Sequence, residues 1–430
     1  GAAAISGAGG GGKISVAGSF AMTILNHTTR AGVDGTVALT GGDAGLTAAS
    51  NVKTTVTALP HGDGAVATGD AGVGASVALH IITDRTTAEV SDGVVLTGAR
   101  DVTLSATAVD LAVTEARMGA KGGDVAISPA VALTFTNITT RTRIGTGLLV
   151  TTRTVSMTAT QKAAADTTAS AAALGAADAA IGVGFALTIA NHTVTSTLAR
   201  RIAAGGDVIL RAFSISGASA LAAASAAGAP ENEDSGDAAN PGGKPGTGVD
   251  QLAQGERDHG DQVATQNGGE GSGTTKNPDA KTSDGPVSVA AAIGIVVSTV
   301  HAETIVTVDV PTIAATGAVR LETSANTDAR TGADGSAAGT GDATIGAGVA
   351  LTFAHTINAA ILPGTVVVTA HDVALSSIVT VDGADHTGTF GAAASSGAAG
   401  GNVSVAGSVA IALVTTDTLA ALYATVHLTG

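Results

Sequence analysis

The residues whose types could do chemistry are few and widely spaced. Two histidines follow an asparagine in the same local setting, in Asn26-His27-Thr28 and Asn191-His192-Thr193. Neutral imidazole is the commonest protein ligand for transition metals. The copies of the motif lying between them carry Asp84 and Ile138 at that position. The two rings are therefore expected many strands apart, not on one ion. The preceding position holds Asn26, Asn137 and Asn191, with Thr83, Thr299, His355 and Thr415 in the other copies. Such a column is expected to form a structural ladder, its amides and hydroxyls bonding turn backbone. Each of the three asparagines also opens an Asn-x-Thr glycosylation sequon, a short and common pattern that repetition alone explains.

Carboxylates offer a second chemistry. Asp43, Asp124 and Asp207 follow Gly-Gly pairs. Turn carboxylates bind Ca²⁺ when several converge with backbone carbonyls. The Gly-Gly-x-Gly-x-Asp nonapeptide of calcium β-rolls is absent, so these three read as turn caps. The weak Ca²⁺ candidates are Glu231, Glu233, Asp234 and Asp237, and no other cofactor is expected. No nucleophile elbow, P-loop or zinc-protease helix occurs, and the Gly-x-Gly runs precede no helix that would cradle phosphate. The absence of cysteine excludes thiol chemistry and cysteine-based metal centres. A polysaccharide-active β-helix would need clustered carboxylates, and its sugar cleft usually adds aromatics. With Tyr423 the single tyrosine and no tryptophan, that cleft is hard to furnish. No catalytic residue is assigned, and the chain reads as non-enzymatic.

The elements that carry these residues repeat. FAMTILN at 20–26 recurs as VALHIIT at 77–83, VALTFTN at 131–137 and FALTIAN at 185–191. It returns as IGIVVST at 293–299, VALTFAH at 349–355 and VAIALVT at 409–415. The unit is about 56 residues, and one gap is about twice that. Each motif lies in a run that alternates with period two, the signature of a strand. A polar corner at Asn191-His192-Thr193, a brief Thr/Arg/Val segment, a Gly-Gly-Asp turn and a second alternating run complete the unit. Large groups fall on one face, Ile14, Val16, Phe20, Met22 and Ile24, and are expected to fill a narrow interior. The other face, Ser15, Ala17, Ser19, Ala21 and Thr23, is flat, fit for close sheet packing or exposure. A helix over Ala163–Ala180 is the rival there, because alanine is the best helix former. Interleaved Gly, Ser and Thr without 3.6-residue spacing favour strands.

A unit with so few bulky groups buries too little alone to offset its chain entropy, whereas stacked copies close one another's cores. The expected fold is all-β: a repeat β-solenoid, parallel β-helix-like, with stacked antiparallel long hairpins as the alternative. The array covers 1–227 and resumes over 287–430. Between them, 228–286 is an acidic Gly/Pro-rich insertion of disorder-like composition, expected to leave one coil as a solvated excursion. The net charge of -15 argues against a nucleic-acid partner. No apolar run reaches the roughly 20 residues of a membrane span. The chain reads as a mature or excised piece of something longer.

Three strings carry a resemblance: Val73-Gly74-Ala75-Ser76-Val77-Ala78-Leu79, Val403-Ser404-Val405-Ala406-Gly407-Ser408-Val409-Ala410 and Gly206-Asp207-Val208-Ile209-Leu210. In these the chain resembles the very long bacterial β-strand-repeat surface proteins, similar to filamentous adhesins. The resemblance implies secretion to the cell surface, a stacked β architecture and self-association into a fibre with a cell-surface or glycan partner. It supplies no catalytic residues. The expected function is an extracellular structural or adhesive repeat protein. A ligand-binding solenoid for ice, glycan or Ca²⁺ is the alternative. Thr54, Thr55 and Thr57 could order water, although a strict Thr-x-Thr in every coil is missing.

Overall fold

A computed structural model describes residues 1–9, 12–67, 69–151, 153–176, 178–227, 287–307, 312–339, 343–400 and 402–429. The described residues form strands and turns with no helix, and every strand-to-strand ladder is parallel. The fold is a parallel β-solenoid. The alternating Val/Ile/Thr runs form two kinds of 20-residue strand, which at about 3.3 Å per residue span roughly 66 Å.

The front sheet stacks β2 (Ile14–Val33), β5 (Ala71–Val90), β8 (Val125–Ile144), β11 (Ala179–Leu198), β14 (Val287–Val306), β17 (Ala343–Leu362) and β21 (Val403–Leu422). A short side sheet follows each: β3 (Val37–Ala38), β6 (Leu96–Ala99), β9 (Leu148–Thr151), β12 (Arg201–Ala204), β15 (Thr312–Ala315), β18 (Val367–Ala370) and β22 (Thr425–Leu428). The back sheet stacks β1 (Ala2–Ala8), β4 (Ala44–Val66), β7 (Val102–Lys121), β10 (Val155–Leu174), β13 (Val208–Ala227) and β16 (Ala318–Ala338). Its last coil is split into β19 (Asp372–Ile378) and β20 (Thr389–Ala399), both paired with β16. One coil is thus front, side, back.

The strand reading of the alanine-rich tract holds: it forms strand β10, paired over its whole length with β7 and β13. One detail departs from the sequence reading. The Asn-His-Thr segments are not corners, because β2 and β11 run straight through them, as β8 does through Asn137-Ile138-Thr139. The doubled gap is not a skipped coil. Val287 lies directly against Ala179, and β14 follows β11 in register to Leu198–Val306. Residues 228–286 themselves lie outside the described residues.

The larger correction concerns which face is inside. Along the first half of each front strand the inward residues are small. In β11 they are Ala180, Gly182, Gly184 and Ala186, all buried. The large residues point out: Ile14 is 66% exposed, Val16 67% and Phe20 60%. The reason is the wedge-shaped cross-section. Next to the side sheet the two long sheets diverge, and Leu104, Met157, Leu198, Ile202, Leu210 and Leu321 fill the space. At the opposite end the interior is an alanine seam, including Ala132, Ala171, Ala186, Ala220 and Ala224. There the backbones nearly touch. A Cβ on Gly182 would sit 2.3 Å from the Ser225 carbonyl oxygen, and one on Gly184 2.3 Å from that of Ala223. The Ser76 and Ser128 hydroxyls cross the gap, donating to the carbonyls of Arg117 at 2.6 Å and Met118 at 2.8 Å. The one large inward side chain here among the described residues, Met118, lies where Gly74 stands opposite it.

Side chains also tie coils together. Arg200, buried just before β12, donates to the carbonyls of Gly145, Val94 (2.9 Å), Thr146 (2.9 Å) and Ser91 (3.1 Å), gripping the corners of the two preceding coils. On the outer surface of the back sheet, the segment between β19 and β20 reaches back. Asp382 pairs with Lys162 of β10 at 2.7 Å, and Thr380 donates to the Ser214 carbonyl of β13 at 2.9 Å.

The inverted packing makes a direct test. Ala186→Leu, inward at the thin edge, is expected to destabilise by about 1–3 kcal/mol or more through overpacking. Thr195→Leu, outward on the same strand, is expected to stay within about 0.5 kcal/mol. Urea unfolding monitored by circular dichroism measures both. Equal costs would contradict the assigned faces.

Candidate functional site

Two arrangements hold the chain's polar and apolar extremes: a polar seam buried between the sheets, and the outer surface of the front sheet.

The seam lies midway along the long strands, between the leucine-rich and alanine-rich cores. The inward column Thr23–His80–Thr134–Thr188 of the front sheet faces Thr114 and Thr167 of the back sheet. Thr134 donates to Thr114 at 2.7 Å, Thr167 and Thr188 lie 2.6 Å apart, and His80 Nδ1 is 3.1 Å from Thr114. Burial pushes the His80 imidazole down to about 4. Four positions further along comes the column His27–Asp84–Ile138–His192. His27 Nδ1 is 2.9 Å from Asp84 Oδ1, and Ser50 donates to Asp84 Oδ2 at 2.7 Å. Two coils further along the column from Asp84, His192 is held by Ser216 (Nδ1 to Oγ, 2.6 Å) and Thr136 (Nε2 to Oγ1, 3.1 Å), and burial pushes it down to about 4. The structure thus places His27 and His192 in one column and keeps them on different partners. Among the described residues no three His, Cys, Asp or Glu side chains converge as metal ligands.

Asp110 of β7 is the most perturbed group in the seam. It is 1% exposed. Burial first, and then the neighbouring Asp84 charge, push its carboxyl up to about 8.

The other residues singled out from sequence take structural places. Asp43 forms a two-pronged pair with Arg100 (Nε to Oδ1 2.9 Å, Nη2 to Oδ2 2.8 Å), which holds its carboxyl below the usual range. Asp207 Oδ1 accepts the Ala318 N–H of the next coil at 2.8 Å, and Asp101 does the same for Thr154 at 3.0 Å. Asp124 contributes its backbone carbonyl, which accepts N–H bonds from Asp178 (2.7 Å) and Ala179 (3.0 Å). Asn26, Asn137 and Asn191 stand in one outward column with Thr83 and Thr299, in mid-strand and away from any turn. Glu231, Glu233, Asp234 and Asp237 lie outside the described residues. Tyr423 is exposed just after β21. A shallow groove at the side sheet is lined by Ala203, Gly205, Ala314, Thr316 and Thr369, none of them ionisable.

The outer surface of the front sheet carries the other extreme. Before the asparagine column, six outward columns cross seven strands. One is Phe20–Val77–Val131–Phe185–Ile293–Val349–Val409; another is Met22–Leu79–Leu133–Leu187–Ile295–Leu351–Ile411. The remaining four hold only Ile, Val, Leu, Phe, Ala, Gly and Pro129. The asparagine column is the rim. Beyond it come Thr28, Arg30, Arg85, Glu89, Arg141 and Arg143. Monomeric soluble proteins rarely expose a contiguous apolar patch of this extent.

His80, Asp110 and Arg200 were missed from sequence. For His80 and Asp110 the signal was a titratable residue at an inward position of an alternating run, as in Leu79-His80-Ile81 and Val109-Asp110-Leu111. No family model, no curated protein and no solved structure matches the chain. No helix among the described residues is long and apolar enough to cross a membrane.

The buried titratable groups give opposite pH slopes. A histidine held neutral gives stability that is complete above its unfolded pKa of about 6.5 and is lost as pH falls towards 4. A carboxyl held protonated gives stability that is complete below about 4 and is lost as pH rises towards 8. In Asp110→Asn the second slope disappears. The variant is expected to gain on the wild type by roughly 1 kcal/mol per pH unit between about pH 4 and 8. Urea titrations at stepped pH measure this, and a pH-independent difference would exclude a protonated Asp110.

Proposed function

We propose that this chain is an extracellular structural and adhesive repeat module, a segment of a surface fibre or filament that self-associates. The observation that carries this reading is the apolar half of the outer front sheet: six outward columns without an ionisable group, repeated coil after coil. Several features of the interior support it. The Thr134–Thr167–Thr188 seam, His192 and Arg200 are engaged in holding sheets and coils together. A chain so arranged gains length and surface with each coil while its cross-section stays the same.

Immunogold labelling of intact cells of the source organism tests the proposal. Antibody against the chain is expected to decorate the outside of unpermeabilised cells, on material that projects from the surface. Label that appears only after permeabilisation would overturn the reading.

A further inference from the structure

We propose that the apolar half of the front sheet is an isologous interface, closed by the same face of a second copy of this chain. The inference deepens the self-association part of the function above and rests on that reading.

Area is the first argument. Six outward positions at about 6.7 Å spacing cover roughly 35 Å along the strands, and seven strands at about 4.8 Å cover roughly 30 Å across them. The patch is therefore about 1,000 Å² on each partner. Stable pairs bury about 800 Å² per partner, so the patch alone suffices.

Shape is the second. The column Gly18–Ala75–Pro129–Val183–Ala291–Ala347–Gly407 is mostly small. It makes a shallow furrow between the ridges at Val16–Val73–Ile127–Ile181 and Phe20–Val77–Val131–Phe185. Sheets pack face to face at about 10 Å when ridges of one enter furrows of the other. A second copy presents matching ridges and furrows after a two-fold rotation, as a self-complementary interface requires.

Charge is the third. No ionisable group lies in the six columns, so closure buries no unpaired charge. The asparagine column and the Arg30–Glu89 pair, 2.7 Å apart, lie beyond it as a solvated rim.

Sedimentation velocity on the whole chain, from about 0.1 to 50 µM, tests the proposal, together with single-cysteine cross-linking in a chain that has no cysteine of its own. The wild type is expected to sediment as a dimer at micromolar concentration. Leu187→Glu, on the central strand of the patch, is expected to weaken the dimer at least about 100-fold, because it buries a charge in each partner. Leu187→Ser provides a milder version should the first variant lose its β-sheet circular dichroism. Thr195→Glu, outward beyond the rim, is expected to leave the dimer intact. Leu187→Cys is expected to cross-link with a short bismaleimide, and Thr195→Cys is not. A wild type that stays monomeric throughout, or a dimer that survives both Leu187 substitutions, would overturn the interface. So would a monomer that floats with phosphatidylcholine vesicles through Leu187, which would give the face to a lipid surface. None of these outcomes bears on where the chain resides in the cell, so the immunogold result is read separately.

Discussion

The distance between the two long sheets at the thin edge governs the molecule. Gly182 and Gly184 admit the opposing carbonyls of Ser225 and Ala223 where any Cβ would clash. Once the backbones are that close, inward positions hold mainly Gly, Ala, Ser and Thr, and Met118 fits because Gly74 leaves it room. The bulky residues of the same strands, such as Phe185 and Leu187, are then forced outward by the pleat, because adjacent side chains point to opposite faces. The apolar exterior is thus the geometric complement of the thin interior.

The same constraint explains where polarity goes. Hydroxyls are small enough for the gap, and they span it to reach backbone acceptors that larger groups could not approach. Ser76 and Ser128 do so near the edge, and the threonine seam does so where the wedge begins to open. Histidine fits where the gap is wider, as where Thr136 and Ser216 stand on either side of His192. Asp110 is accommodated by keeping its proton, the response expected of a carboxyl out of reach of water and beside another carboxylate. The seam therefore divides a leucine-rich core from an alanine-rich one with polar groups matched to the local width.

Strands, stacking and the recurrence of the long alternating run were legible in the sequence, because period two leaves no helical alternative once Gly and Thr interrupt the alanines. Which face lies inside was not. Ile14, Val16 and Phe20 invite the interior by hydrophobicity, and only the residues of the facing strand decide otherwise. Those include Ala58 and Ala65 in β4, more than 30 residues along the chain and without a local signature of sheet separation. The asparagine column misled for a related reason. Asn-His-Thr has turn composition, yet Asn191 and Thr193 are the outward residues at which an apolar surface turns polar, and His192 is inward. A change of surface polarity within one strand resembles a corner when read along the sequence alone. Arg200 could not be read at all, since its acceptors come from two different coils.

The strands fall into halves with different tasks. Near the side sheet, the hydrophobic effect works inward in the usual way, with Leu198, Ile202 and Leu210 out of water. That half, together with the backbone ladders, gives the solenoid a conventional core. At the thin edge, burial of alanine removes little apolar area, and the larger area on the same strands faces out. Hydrophobic stabilisation scales with area removed from water. An edge built this way is held by its neighbours' backbone hydrogen bonds and has its main apolar surface still in reserve. A second layer laid on the front face would supply the burial that the interior is too narrow to provide, and the two alanine seams would then flank a bulky core formed between molecules.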